Sequence, residues 1–128
     1  MALGYHEDHD ARTIEIDVAG RITREDFDAI APKVEQFAND HGPIKVLEVV
    51  RHLDGVEPGL IWDGLRLDFR VVPHITHCAV VGDAAWLSPL TRAASVVMPI
   101  AMRCFPMAEM DAARTWLTEA DAGVERGA

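Results

Sequence analysis

Ile44-Lys-Val-Leu-Glu-Val-Val50 and Ile75-Thr-His-Cys-Ala-Val-Val81 are the two stretches that decide the architecture. Both are short, nearly unbroken apolar runs rich in β-branched residues, the pattern of strands covered on both faces in a parallel sheet. After the first run, Asp54-Gly55 and Pro58-Gly59 are turn signals, and they predict a loop over His52 to Gly59. From Leu60 onward, Ile61, Leu65, Phe69 and Val72 recur at three- and four-residue steps. That spacing predicts a helix over Leu60 to Val72, ended by Pro73. Strand, helix and second buried strand together make a parallel crossover unit.

Upstream, Leu3 to Glu7 and Thr13 to Ala19 read as two strands about the polar turn Asp8-His9-Asp10. In the second strand Ile14, Ile16 and Val18 alternate with Thr13, Glu15 and Asp17, and Gly20 is expected to end it. Thr23-Arg-Glu-Asp26 then offers an N-cap hydroxyl and first-turn acids. Phe27, Ile30, Val34 and Phe37 follow at helical spacing, with Ala31 and Ala38 on the same face. Pro32 is expected to kink or segment this helix, and Asn39 to Pro43 to stop it. Downstream, Gly82-Asp83 turns the chain into a helix from Ala84 to about Met98. Ile100 to Phe105 reads as the last strand and Ala108 to Ala120 as the last helix, with Met110, Ala113, Trp116 and Leu117 on one face. The expected fold is therefore one α/β domain over residues 1–122, followed by a flexible tail at 123–128. It has a mostly parallel five-stranded sheet, an antiparallel N-terminal edge and about four helices.

Composition sets the limits on function. Hydrophobic residues are 49% and charged residues 26% of the 128, which is globular rather than disordered usage. Twelve Lys and Arg face 21 Asp and Glu, a formal charge of −9. Phosphate backbones are repelled by such a chain, so nucleic acid is excluded as a partner; membrane contact is at most peripheral. The longest apolar run, Val96 to Met102, falls far short of the about 20 residues a spanning helix needs. Cys78 and Cys104 fit neither zinc nor thioredoxin spacing and read as reduced thiols. With no signal peptide at Met1-Ala2-Leu3-Gly4, the expected location is cytoplasmic.

Catalytic chemistry finds no foothold. His6-Glu-Asp-His9-Asp10 holds five side chains able to bind metal, but on a strand running into a tight turn they should fan outward as a solvated tip. His77 and Cys78 are adjacent on a strand and face opposite sides, so they cannot pair, and Cys78 reads as core. Asp54, Glu57, Asp63 and Asp68 read as solvated loop and helix positions. No Gly-rich phosphate loop, nucleophile elbow or His-Glu-x-x-His is present. The expectation is a protein that is not an enzyme, with no catalytic residue, no cofactor and no metal.

Three motifs in order, Gly20-Arg-Ile-Thr23-Arg-Glu-Asp26-Phe27, Ala79-Val-Val-Gly82-Asp83-Ala-Ala-Trp86 and Asp111-Ala-Ala-Arg-Thr-Trp116-Leu117, resemble the SpoIIAA-like family across about Gly4 to Asp121. The resemblance implies a small bacterial protein of STAS-type α/β fold, a fold also compared with the lipid-carrying CRAL-TRIO domain. Anti-sigma-factor antagonists of the STAS group switch by phosphorylation of a serine at a helix start after the second buried strand. The corresponding stretch here, Val50 to Gly59, has no Ser, Thr or Tyr, and the chain's only serines are Ser88 and Ser95. That switch is absent from this position.

What remains is apolar surface. On Ala84 to Met98, Trp86, Leu90, Ala93 and Val97 form one stripe, with Leu87, Ala94 and Met98 beside it, and Arg92 is the only charge. Either this helix is buried against the sheet, or part of its face is open to a ligand, a partner or a bilayer surface. Trp62, Leu65 and Phe69 pose the same choice on the preceding helix. The functional expectation is a non-enzymatic binding module for a small hydrophobic or lipid-like ligand, held in a cleft lined by Trp62, Leu65, Phe69, Trp86 and Leu90. The alternative is a regulatory protein-interaction module of STAS type, with a flat patch for a protein partner or for a homodimer.

Overall fold

A computed structural model describes residues 2–60 and 70–127, with side chains through residue 120. Five strands form one sheet in sequence order: β1 (Leu3–Asp8), β2 (Thr13–Ile22), β3 (Ile44–Val56), β4 (Ile75–Val81) and β5 (Ala101–Phe105). β1 pairs antiparallel with β2, and every later pairing is parallel. Three helices complete the described fold: α1 (Arg24–His41), α2 (Leu87–Val97) and α3 (Met110–Gly127). The sheet matches the expectation, and the helix count among the described residues is one fewer. Leu60, Arg70 and Val71 are helical, but the expected Leu60 to Val72 helix lies mostly outside the described residues.

Strand alternation divides the core into two layers. Leu47 and Val49 of β3, Ala79 and Val81 of β4, and Phe105 of β5 point to one face, where Ala113 and Leu117 of α3 close over them. Val46 and Val50 of β3 with Cys78 and Val80 of β4 point to the other face, against Leu87 of α2 and Ile100. Beside them Ile14 of β2 and Ile44 of β3 meet Val34, Phe37 and Ala38 of α1. The adjacent pair His77 and Cys78 splits as the alternation requires. His77 stacks edge-on to Trp116 at 5.6 Å, while Cys78 lies in the opposite layer.

Several boundaries differ from the expectation. β2 does not end at Gly20, nor β3 at Val50. The two strands continue side by side, pairing Ala19 with His52, Gly20 with Leu53, Arg21 with Gly55 and Ile22 with Val56. Register shifts at Val18/Ala19 and Gly20/Arg21 let them do so, and Gly20 and Gly55 take positive φ values of 123° and 149° there. Asp54-Gly55 thus belongs to an irregular strand, not to a turn. α1 is continuous through Pro32, because Pro32 and Asp28 lie on its exposed side, where a carbonyl freed by the missing donor reaches water. α2 starts at Leu87 rather than Ala84, β5 at Ala101 rather than Ile100, and α3 continues past Ala120 to Gly127 after a 3-10 turn at Met107–Glu109.

The α1 start carries a complete capping box. The Asp26 amide donates to the Thr23 hydroxyl at 3.3 Å, and the Asp26 carboxylate accepts from the Thr23 amide at 3.0 Å and hydroxyl at 2.9 Å. A further bond, from the Ala2 amide at 3.2 Å, ties the N-terminal segment to this helix. The Thr23 amide and then its hydroxyl hold the Asp26 carboxyl below the ordinary carboxylate range, against the opposing effect of burial. A carboxyl depressed in the folded state stabilises it above the unfolded value and loses that contribution as pH falls below about 4. Asp26→Asn should therefore be less stable than the parent at neutral pH, with the gap closing in acid. Chemical denaturation at a series of pH values checks this; a gap unchanged between pH 7 and pH 3 would rule it out.

Candidate functional site: the outer face of the Trp86 helix

α2 packs on the sheet through a narrow inward stripe. Leu87 and Thr91 are buried, and Ala94 and Met98 half-buried. A threonine is tolerated inside because its hydroxyl donates to the Leu87 carbonyl one turn back, at 2.8 Å. Gly82, where β4 gives way to the segment leading into α2, approaches closely: a Cβ there would lie 2.5 Å from Leu87 Cδ2 and 2.8 Å from the Val50 carbonyl oxygen. Its amide donates to the Phe105 carbonyl at 2.9 Å. The helix is thus fixed by its N-terminal end to the C-terminal end of β4, in the interior of the sheet.

The opposite stripe faces solvent. Trp86 is 44% exposed, Leu90 58%, Val97 82% and neighbouring Val96 86%. Trp86, Leu90, Ala93 and Val97 follow one another at four- and three-residue steps, so they form a continuous apolar strip down the helix. The helix is thus buried against the sheet on one side and open to solvent on the other. Both sides of α2 are apolar, so periodicity alone could not say which side is inward. The one local signal was Thr91, a residue able to satisfy its hydroxyl on its own helix.

Of the five residues expected to line a ligand cleft, Trp86 and Leu90 lie together on this strip, and Trp62, Leu65 and Phe69 fall outside the described residues. Two grooves lined by described residues lie elsewhere. One, of about 650 Å³ and open to solvent, runs between β1 and α1 along Tyr5, Glu7, His9, Pro32 and Lys33. The other, of about 290 Å³, lies beside α3 and is lined by polar groups including His6, Asp8, Lys45 and Arg114. Lys45 is buried, with its Nζ donating to the Leu117 carbonyl at 3.2 Å, and Arg114 forms a bidentate pair with Glu15 at 2.9 and 3.0 Å.

The His6 to Asp10 side chains diverge as expected, and those on the α1 side make contacts of their own. Alternation sends Asp8 to the groove beside α3 and Tyr5 and Glu7 to the α1 side, while His6 borders both grooves. Tyr5 Oη donates to Glu7 Oε2 at 2.5 Å, Glu7 Oε1 lies 3.3 Å from His9 Nε2, and His9 Nδ1 lies 2.8 Å from His41 Nε2. Burial, then the bond to Glu7 and its charge, push the Tyr5 hydroxyl well above its ordinary range. His41 is distant in sequence and gave no signal. Asp54 and Glu57 do not converge: Asp54 meets His52 at 3.2 Å, and Glu57 accepts from the Arg24 amide at 2.7 Å. Among the described residues no group of three or more His, Cys, Asp or Glu side chains is arranged to hold a metal ion. No helix among them is long and apolar enough to cross a membrane.

With this geometry in place, the comparisons are specific about fold. A crystal structure of an uncharacterised protein with a SpoIIAA-like fold from Shewanella loihica PV-4 superposes with a TM-score of 0.75 at 24% identity, covering 91% of this chain and 92% of that one. The unphosphorylated anti-sigma-factor antagonist SpoIIAA superposes with a TM-score of 0.52 at 11% identity, covering 80% and 87%. At these identities the likeness concerns the fold alone. No functionally curated protein matches. The family model described as SpoIIAA-like matches residues 13–118, from the start of β2 into α3, and the chain belongs to the SpoIIAA-like family.

Proposed function

We propose that this chain is a non-catalytic protein-interaction module whose docking surface is the outer face of α2. The observation that carries the reading is the open apolar strip of Trp86, Leu90, Val96 and Val97 on a helix fixed to the sheet by its other side. An exposed contiguous apolar strip is characteristic of a contact surface, and a Trp near its end supplies large apolar area with a single donor. Family membership and the likeness to an anti-sigma-factor antagonist point the same way. Strip residues this exposed describe a flat patch better than a deep pocket, so they favour the protein-interaction reading over a hydrophobic-ligand cleft.

Charge favours a second copy of the chain as the occupant. From Ala84 to Ala108 there is no Asp or Glu, although the chain holds 21 of them. Two chains of charge −9 repel across most surfaces, and α2 with β5 is where they can meet without opposing carboxylates. An 11-residue helix is about 16 Å long. It covers less than the roughly 800 Å² per partner of a stable complex, so the association is weak and concentration-dependent.

Val97→Asp tests this. An 82% exposed side chain contributes little to folding, so stability should stay within about 0.5 kcal/mol of the parent. Sedimentation velocity should show reversible dimerisation in the parent and monomer throughout for the variant. A parent that stays monomeric but carries copurified lipid, or has its tryptophan emission shifted by fatty acid, would replace this reading with that of a hydrophobic-ligand module.

A further inference from the structure

We propose that His9 and His41 form a binding site for one divalent transition-metal ion of the imidazole-preferring kind, on the side of the fold formed by β1 and α1. Independently of α2, the structure brings two ring nitrogens, His9 Nδ1 and His41 Nε2, face to face at 2.8 Å from positions 32 residues apart. The two rings do not merely collide in solvent. Each packs on Phe37, which is almost fully buried, with centroid separations of 5.1 and 4.7 Å, and they lie 4.8 Å from one another. Phe37 thereby holds the orientation of both.

A carboxylate stands behind His9. Glu7 Oε1 lies 3.3 Å from His9 Nε2, which favours the ring proton on that nitrogen and leaves Nδ1 with its lone pair toward His41. A carboxylate on the far nitrogen of a histidine is the recurrent support of a metal ligand. Glu7 is itself fixed by the Tyr5 hydroxyl through its other oxygen, at 2.5 Å. Binding requires His41 to carry its proton on Nδ1, so that both facing nitrogens present lone pairs. No net proton is released by that exchange of tautomers.

The geometry leaves a small adjustment. Two nitrogens each about 2.1 Å from a tetrahedral ion stand about 3.4 Å apart, about 0.6 Å more than the separation here. His9 lies in the β1–β2 turn and is 61% exposed at its side chain, and His41 is the last residue of α1, so both can yield that distance. The open groove along Tyr5, Glu7 and His9 gives solvent access to the His9 side of the pair. Two imidazoles without a thiolate suit Zn²⁺, Ni²⁺ or Cu²⁺ rather than Mg²⁺ or Ca²⁺.

The test is titration of the full chain with Zn²⁺ by calorimetry in a non-coordinating buffer. One equivalent should bind. His9→Ala and His41→Ala should each weaken binding at least tenfold, and Glu7→Gln, which keeps the shape but not the charge, about ten- to a hundredfold. Circular dichroism confirms that each variant is folded, and ring-proton resonances of the parent supply a readout free of mutation. Zn²⁺ should shift those of His9 and His41 and leave those of His6, His52 and His74 in place. Unchanged affinity in both alanine variants, shifts at the other histidines instead, or no one-to-one binding in the parent would each overturn the proposal.

Discussion

Replacing Phe37 by Ala should destabilise the protein by about 3–5 kcal/mol, a large share of a single domain's total. Phe37 is 2% exposed and sits where α1 meets β2 and β3, against Ile14, Val34 and Ile44. Truncation there removes the largest fully buried side chain among the described residues and leaves a cavity bounded by sheet on one side and helix on the other. Neither can collapse freely, because α1 is held at one end by the Thr23–Asp26 box and at the other by Gly42, whose amide donates to the Ala38 carbonyl at 2.9 Å. Equilibrium unfolding in urea measures the loss as a lower midpoint with little change in slope. A loss below about 1 kcal/mol would show that the α1 layer is loosely packed and repacks. The same substitution removes the ring on which His9 and His41 rest, so it should also abolish one-to-one zinc binding in the folded fraction.

Gly82→Ala is the second large effect, expected at about 1–3 kcal/mol. The added Cβ would meet two atoms of different character. Leu87 Cδ2, at 2.5 Å, belongs to a side chain and can rotate, whereas the Val50 carbonyl oxygen, at 2.8 Å, belongs to the central strand. Moving Leu87 relieves the first contact, but the second is relieved only by shifting the Gly82 backbone away from β3, and with it the segment that leads into α2. Since Leu87 is the buried anchor of that helix, the variant should also lose self-association at concentrations where it remains folded. Gly59→Ala is the control: its Cβ would meet only Arg24 Nη2 at 3.5 Å, an ordinary contact, and its stability should be close to the parent's. If the two variants unfold at the same denaturant concentration, close approach at Gly82 does not fix α2.

What could be read from the sequence was what is local. The apolar runs of β3 and β4 declare buried strands without reference to any partner, and Thr23 with Asp26 declares a helix start within four residues. The paired extension of β2 and β3 was not legible, because Asp54-Gly55 has the chemistry of a turn, and only Gly20 and Arg21 lying alongside make it strand. The outward orientation of α2 was hidden for a similar reason. Leu87, Thr91, Ala94 and Met98 inward, or Trp86, Leu90, Ala93 and Val97 inward, are both workable amphipathic choices, and only the fit against Val80 and Ile100 decides between them. The His9–His41 contact depends on where α1 ends relative to the β1–β2 turn, which no periodicity encodes. Alternation did contain half of it, since Tyr5, Glu7 and His9 are two residues apart in turn and fall on one side.

The claim that α2 is a docking face for a second copy is tested most directly by two-dimensional amide NMR of the full chain over a dilution series. The expected shifts move smoothly with concentration and are confined to Trp86 through Met98 and the adjoining β5, with Leu90 and Val97 moving furthest, and no such movement occurs in Val97→Asp. Spectra that do not change with concentration, or changes centred on the β1 edge with α2 silent, would contradict it.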